Sequence, residues 1–319
     1  MEYGTIRGIE RPVSRLILGT MAYRPEPEER YAHWAAMLDG YRAAGGNTLD
    51  TAHSYGAGNS ERTLGRWLRE RGNREQIIIL GKGAHPRPGQ PRRVTPEAID
   101  SDIRESLVRL QTPYIDLYLL HRDDPSVPVG PIVECLNRHL DAGRLRAIGG
   151  SNWTSGRITE ANEYAASHRL RGFTASSPNL SLAVFSEPLW PDCVSVDGPE
   201  LAWYRQQQFP LLAWSSQARG FFSGRFAPEQ RDVEPAIVRA LYSDGNWERL
   251  RRARELAAQK NTTPTRVALA WVLRQPLPTF PLIGPLTLPE LEDSLAALQV
   301  ELSADELRWL HLDQEAAAA

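Results

Sequence analysis

Short apolar runs alternate with longer amphipathic stretches along nearly the whole chain, and this alternation limits the fold more than any other feature. The apolar runs occupy residues 15–20 (RLILGT), 47–52, 77–82 (IIILGK), 114–121 (YIDLYLLH), 145–152, 172–177, 210–215 and 279–284. Between them the spacing predicts helices over 28–44, 60–71, 95–110, a stretch ending at 141, 155–168 and 200–208. Further helices are predicted over 247–260, 265–274, 289–298 and 304–314. Strands separated by a crossover of a dozen or more residues pair in parallel. Eight such units predict a closed (β/α)8 TIM barrel with extended loops at its C-terminal face and an extra C-terminal helix. The rival is an open doubly wound sheet, which expects a glycine-rich turn after its first strand. Here that turn reads Gly19-Thr20-Met21-Ala22, and the segment GAGNSE at 56–61 supplies only the first two glycines of that pattern.

The 319 residues are expected to form one barrel domain, 1–319, with enlarged loops at 180–198 and 220–246; a barrel of this kind needs roughly 250 residues. Lys plus Arg number 37 and Asp plus Glu 39, giving a net charge of −2. That lacks the basic excess of a nucleic-acid binder. No apolar run approaches the ~18 residues of a membrane span. The opening Met1-Glu2-Tyr3-Gly4 shows no signal-peptide pattern, and the cysteines are only Cys135 and Cys193. A cytoplasmic enzyme is therefore expected. There is no HExxH, P-loop or GxSxG. His121, Asp123 and Asp124 are a weak metal set, so none is expected; the oligomeric state is open.

In such a barrel the chemistry sits at the C-terminal ends of the strands. The second strand ends in Asp50-Thr51-Ala52 with Tyr55 just beyond, the third in Lys82, and the fourth in His121. The fifth ends in Ser151-Asn152-Trp153 and the seventh in Trp214-Ser215. A lysine closing an apolar run needs a neutralising partner, and Asp50 is on the neighbouring strand. A nearby ammonium lowers the pKa of a phenol, so Lys82 is expected to make Tyr55 a better acid. His121 would donate a hydrogen bond to a substrate oxygen. Together these groups suit protonation of an oxygen on which charge develops. The plainer alternative is a structural ion pair with a core histidine.

The segment NTLDTAHSYGAGNSERTLGRWL at 47–68 resembles the signature of the aldo-keto reductase family, and IIILGKGAHP, DLYLLHRDDP and LRAIGGSNW match in order and spacing. The resemblance implies an oxidoreductase that uses NADPH or NADH to reduce an aldehyde or ketone. It makes Tyr55 the general acid–base, Lys82 and Asp50 its tuners, and His121 the group that orients the carbonyl. It also places Gly19 and Thr20 near the nicotinamide, Ser151 and Asn152 on its carboxamide, and Trp214 on its face. Ser177 stands where the family usually has Gln. Ser215, Ser216, Gln217, Arg219 and Gly220 resemble the pyrophosphate loop. Ile283, Gly284, Thr287, Glu290 and Ser294 fall in the adenosine-phosphate segment, where Leu286 replaces the basic residue usual for NADPH. Glu290, Glu292 and Asp293 would repel a 2′-phosphate and could accept ribose hydroxyls, which brings NADH to parity with NADPH.

Met21, Tyr23, Arg122, Trp153 and residues of the 180–198 loop join Tyr55 and His121 as candidate substrate contacts, and Arg122 with the tryptophans suits a sugar-like substrate. Of the nine tryptophans, Trp153 and Trp214 fall at strand ends, whereas Trp34, Trp67, Trp271 and Trp309 fall in helices and suit packing. Two other activities compete: a nicotinamide-binding regulatory subunit with little turnover, and a metal-dependent barrel hydrolase.

Overall fold

A computed structural model describes residues 1–87, 89 and 92–313. An antiparallel hairpin of β1 (Tyr3–Gly4) and β2 (Val13–Ser14) comes first. The sequence pattern did not reveal it, because strands of two residues carry no readable period. Strands and helices then alternate: β3 (Ile17–Gly19), α1 (Glu28–Ala43), β4 (Thr48–Asp50), α2 (Asn59–Arg71), β5 (Ile78–Gly83) and α3 (Pro96–Leu110). They continue with β6 (Ile115–Leu120), α4 (Val129–Asp141), β7 (Leu145–Ser151), α5 (Ser155–Ser167), β8 (Ala175–Ser177) and α6 (Gly198–Gln207). The last third holds α7 (Pro235–Leu241), α8 (Asp244–Gln259), α9 (Pro264–Leu273), β9 (Leu282–Ile283), α10 (Leu288–Ala296) and α11 (Ala304–His311). The helix expected to reach 314 ends at His311, and position 314 lies outside the described residues.

The helices start where local chemistry tells them to. The side chains of Thr95, Thr154, Ser243, Thr263, Thr287 and Ser303 each accept a backbone N–H at a helix N-terminus, satisfying donors that the helix cannot. Pro96, Pro264 and Pro289 occupy the first turns, where a missing N–H costs nothing. The helix α7 lies inside the 220–246 insertion and was not foreseen.

Seven strands pair in the order β8-β7-β6-β5-β4-β3-β9, all in parallel. The expected seventh barrel strand, 210–215, needs correction: it contributes only single bridges at Leu211 and Trp214. Its backbone nevertheless closes the ring. On one side Leu212 N–H donates to Ser176 O at 2.7 Å and Trp214 N–H to Pro178 O at 3.1 Å. On the other, Phe280 N–H donates to Leu211 O at 2.7 Å and Leu282 N–H to Ala213 O at 2.9 Å. Pro178, Pro210, Pro278 and Pro281 interrupt this quarter of the wall; each removes a ladder donor, so regular strand cannot extend there.

The barrel strands are buried on both faces, which is why they read as continuous apolar runs. Ile78, Leu80, Leu117, Leu119, Ala147, Ala175, Leu212 and Phe280 fill the interior. Ile77, Ile79, Tyr118 and Leu120 point outward onto helices, as the two-residue strand period requires. Ile6 and Val13 bring the hairpin into the interior cluster, closing one end of the barrel. The other end, where the strands finish, carries the candidate site. No described helix is long and apolar enough to cross a membrane.

Candidate active site

Three adjacent strands set the centre of the site. Asp50 is the last residue of β4, Lys82 lies near the end of β5, and His121 follows β6 directly. In the ladder, Asp50 is opposite Leu80 and Lys82 opposite Leu119, so Lys82 and His121 each lie two residues beyond the partner of the preceding group and on the same face of the wall. The Lys82 ammonium donates to Asp50 Oδ1 in an ion pair buried on both sides. The same Nζ lies 3.3 Å from Thr51 O and 3.4 Å from the Tyr55 hydroxyl. The Tyr55 ring meets the His121 ring edge-on, with centroids 5.7 Å apart.

Tyr55 reaches this position from a short 3-10 turn, Tyr55–Gly58, that the sequence did not announce. Gly56, Ala57 and Gly58 all have positive φ, at 56°, 55° and 85°. The two glycines make that bend affordable. Thr20 and Thr51 hold its far side through Ser60 Oγ, at 2.6 and 2.9 Å.

Burial and charge act on these groups in opposite senses. Burial opposes the Lys82 ammonium, but Asp50 and the neighbouring phenol prevail, and the net shift holds Lys82 above its usual range and charged. Burial pushes the Tyr55 phenol up, and the Lys82 charge only partly offsets it. This corrects the expectation of a lowered phenol: desolvation of the anion outweighs the ammonium. Burial, aided by Lys82, His85 and Arg122, holds His121 well below its usual range and therefore neutral.

Other anticipated residues divide between those that reach the site and those that do not. Met21 is 52% exposed at the rim. Tyr23 does not line the pocket; it is buried, with its ring stacked on Trp34 at 4.4 Å. Trp153 is 0% exposed, packed edge-on against Phe173 with its indole N–H donated to Arg122 O, so it offers no face to a ligand. The Arg122 guanidinium turns onto backbone, donating to His121 O at 2.8 Å and Pro191 O at 3.4 Å. Asp123 is engaged by Arg157 at 3.0 Å. The aromatic surface near the mouth is instead Trp214 with Trp190, centroids 5.8 Å apart. His85, its ring 4.7 Å from His121, was also missed, although it sits in the quoted run GKGAHP.

Comparison with known proteins supplies the family. The sequence model of the Aldo/keto reductase family matches residues 15–311. The chain belongs to the aldo/keto reductase family. Among its relatives, Protein tas of Escherichia coli is 30% identical over 96% of each chain, and an uncharacterised oxidoreductase of Bacillus subtilis, YrpG, is 28% identical over 98% of this chain and 95% of its own. Norsolorinic acid reductase B of Dothistroma septosporum is 28% identical over 92% of this chain and 76% of its own. A solved glycerol dehydrogenase of Gluconobacter oxydans shares the fold with a TM-score of 0.79 at 22% identity, covering 96% of this chain and 93% of that one.

The nicotinamide cofactor of this aldo/keto reductase family can be tested against the residues present. Ser177 Oγ and His121 Nδ1 are buried polar atoms without a partner, as expected where a polar ligand completes the site. Ser151 Oγ donates to Ser177 O at 2.9 Å. Asn152 has both ends of its amide engaged: Oδ1 accepts from Val194 N–H and Trp214 Nε1–H, each at 3.1 Å, and Nδ2 donates to His121 O and Ser151 Oγ. It ties three loops together. Gly19 backs onto Ile283 O, where an added Cβ would lie 3.1 Å away, and Thr20 is spent on Asp50 O at 2.8 Å.

Further along, Ser215, Arg219 and Gly220 have positive φ. Such turns can aim successive N–H groups at an anion. Gln217 Nε2 bonds Ser294 Oγ at 3.2 Å, linking this loop to α10, while Ser216 Oγ donates to Leu282 O. Arg219 faces Glu234 at 3.6 Å. Gly284 borders open space. Leu286 is 53% exposed, and Glu290 accepts its N–H at 2.6 Å. Glu290 Oε2 thus braces the start of α10, whose N-cap is Thr287, and Asp293 is paired with Arg266 at 2.7 Å. These residues fit a dinucleotide in this aldo/keto reductase.

Removing one partner of a buried pair strands the other charge, at about 3–5 kcal/mol. Asp50→Asn is therefore expected to lower the melting temperature clearly, whereas the same change at exposed Asp305 leaves it nearly unchanged; thermal denaturation followed by circular dichroism checks this.

Proposed function

We propose that the chain reduces an aldehyde or ketone to an alcohol with a nicotinamide cofactor, Tyr55 giving the proton. The observation that carries this reading is the 3.4 Å approach of the Lys82 ammonium to the Tyr55 hydroxyl while Asp50 holds the same ammonium. The cofactor supplies the hydride. Ser177 and Ser151 are the groups for its carboxamide end, the loop 215–220 for its phosphates, and Gly284, Thr287 and Ser294 for its adenosine end.

The protein's own part is proton transfer and charge. As negative charge grows on the substrate oxygen, the Tyr55 O–H donates to it. The phenolate left behind is stabilised by Lys82 in a site that excludes much of the solvent, where that charge counts for more than in water. Asp50 keeps the ammonium charged and in place. Neutral His121 donates a hydrogen bond to the same oxygen without adding a full charge. Trp190 and Trp214 give the pocket a flat wall that suits a ring-shaped or sugar-like carbonyl compound.

The pKa directions fix the pH behaviour. A phenol raised above its ordinary value stays protonated throughout the neutral range, and a histidine lowered below its own stays neutral there. Reduction of carbonyl substrates should therefore be flat from about pH 7 to about pH 9 and fall only as the phenol ionises above about 10. Tyr55→Phe should lose about 100- to 10,000-fold in kcat. Steady-state assays on glyceraldehyde, sugars, aromatic aldehydes and straight-chain apolar aldehydes check both statements. Full turnover by Tyr55→Phe sinks the acid role; equal rates across the panel sink the sugar-like substrate.

The cofactor reading follows from Leu286. Without a basic group there, NADPH should bind no more tightly than NADH. Leu286→Arg should tighten NADPH by about tenfold through one charge-assisted contact and leave NADH unchanged. Quenching of tryptophan fluorescence reads both dissociation constants.

A further inference from the structure

Beneath the Tyr55 turn lies a second group of charges that the proton-transfer reading leaves unused. It comprises His53, two residues before Tyr55; Glu61 on α2; and Asp102, Glu105 and Arg109 on α3. The three α3 residues follow helical spacing and share one face.

Arg109 joins them. Its Nη1 donates to the His53 carbonyl at 3.1 Å and to Glu61 Oε2 at 3.2 Å, and its Nη2 donates to Glu105 Oε2 at 2.7 Å. The guanidinium lies against the bare backbone of Gly58, where an added Cβ would be 2.7 Å from Arg109 Cζ. Two turns later, a Cβ on Gly65 would be 2.3 Å from the Arg109 carbonyl, so α2 rests directly on the end of α3.

His53 is the pivot between this group and the proton-transfer site. Its N–H donates to Lys82 O at 2.8 Å, and its carbonyl accepts from Arg109. Its Nε2 lies 3.0 Å from Glu105 and 3.5 Å from Asp102. Asp102 in turn accepts Ala84 N–H at 2.8 Å and both arms of Arg93. The backbone just before Tyr55 is therefore fastened to the strand that bears Lys82 on one side and to α3 on the other. The turn itself needs such fastening, since Ala57 holds a positive φ of 55° that residues with a side chain rarely adopt.

We propose that Arg109 is a positioning residue for Tyr55: held by Glu61 and Glu105 beneath Gly58, it fixes the turn so that the phenol meets Lys82. Arg109 touches no reacting atom. It acts through the His53 carbonyl and the Gly58 backbone. The inference rests on the reading of Tyr55 as the proton donor. Displacement of a reacting group by about 1 Å costs about 100-fold in rate, so a small shift of the turn shows in kcat.

The test uses the full-length protein with Arg109→Ala, Arg109→Lys and Glu105→Gln, assayed for carbonyl reduction and for cofactor binding by tryptophan quenching. The expected result for Arg109→Ala is a kcat lower by about tenfold to 100-fold. Its KM and cofactor dissociation constant stay within about twofold. Its solvent deuterium isotope effect rises as proton transfer becomes limiting, and added methylguanidinium restores part of the rate. Arg109→Lys keeps the charge without the fork and should fall between the two. Glu105→Gln removes one arm at a half-exposed site and should show a smaller loss of the same kind even where Arg109→Ala fails to fold.

Two results overturn the proposal: folded Arg109→Ala with wild-type kcat, or a loss of kcat matched by weakened cofactor binding with no rescue and no change in isotope effect. The Tyr55→Phe background separates the two levels. If Tyr55→Phe turns over normally, the proton-donor reading has failed. If Tyr55→Phe is inactive while Arg109→Ala and Glu105→Gln are normal, only the positioning role has failed. In the positioning account, adding Arg109→Ala to Tyr55→Phe costs little more.

Discussion

The buried pair between Lys82 and Asp50 is the interaction on which the site depends. A lysine among apolar residues at a barrel mouth survives as a cation only because a carboxylate on the next strand meets it. That pairing requires β4 and β5 to run in parallel and in a register that sets Lys82 two residues beyond Leu80, the partner of Asp50, on the same face. Every other part of the centre is arranged around this charge. Tyr55 bends back over it through three left-handed residues, and His121 is kept neutral partly because the same cation is near.

The balance at Tyr55 is between desolvation and that ammonium. Desolvation prevails and keeps the phenol a neutral acid, which is the form that can donate a proton. Lys82 limits how far the shift goes. In the proposed reaction the site would hold the proton firmly at rest and tolerate its loss when charge develops opposite it. The same economy governs Asn152, whose amide secures Val194, Trp214 and the backbone of His121.

Much of this was legible in the sequence. Runs such as IIILGK and YIDLYLLH announce buried parallel strands, and their last residues announce Lys82 and His121. What escaped reading did so for physical reasons. A residue just past a strand end can turn into the pocket or into the helical layer, and spacing does not distinguish the two; Trp153 and Tyr23 turned into the helical layer. The phenol's net shift depends on how much solvent the fold removes, which no pattern encodes. His85 lies on a loop without periodicity, and Trp190 falls within the 180–198 loop named for the pocket, where no pattern singles it out. The seventh strand failed through prolines on its neighbours as well as its own. Arg109 and its partners are spread over positions 53 to 109, and only folding brings them under one turn.

The central claim is that the Lys82 charge acts on a Tyr55 phenol that burial keeps protonated. It is tested most directly by spectrophotometric titration of tyrosinate, taking the difference between the wild-type chain and Tyr55→Phe. The same difference is then taken in a Lys82→Met background. The account predicts that the Tyr55 ionisation lies above the ordinary tyrosine value of about 10 and moves higher still when Lys82 is removed. An ionisation below the ordinary value, or one that ignores the loss of Lys82, would contradict it.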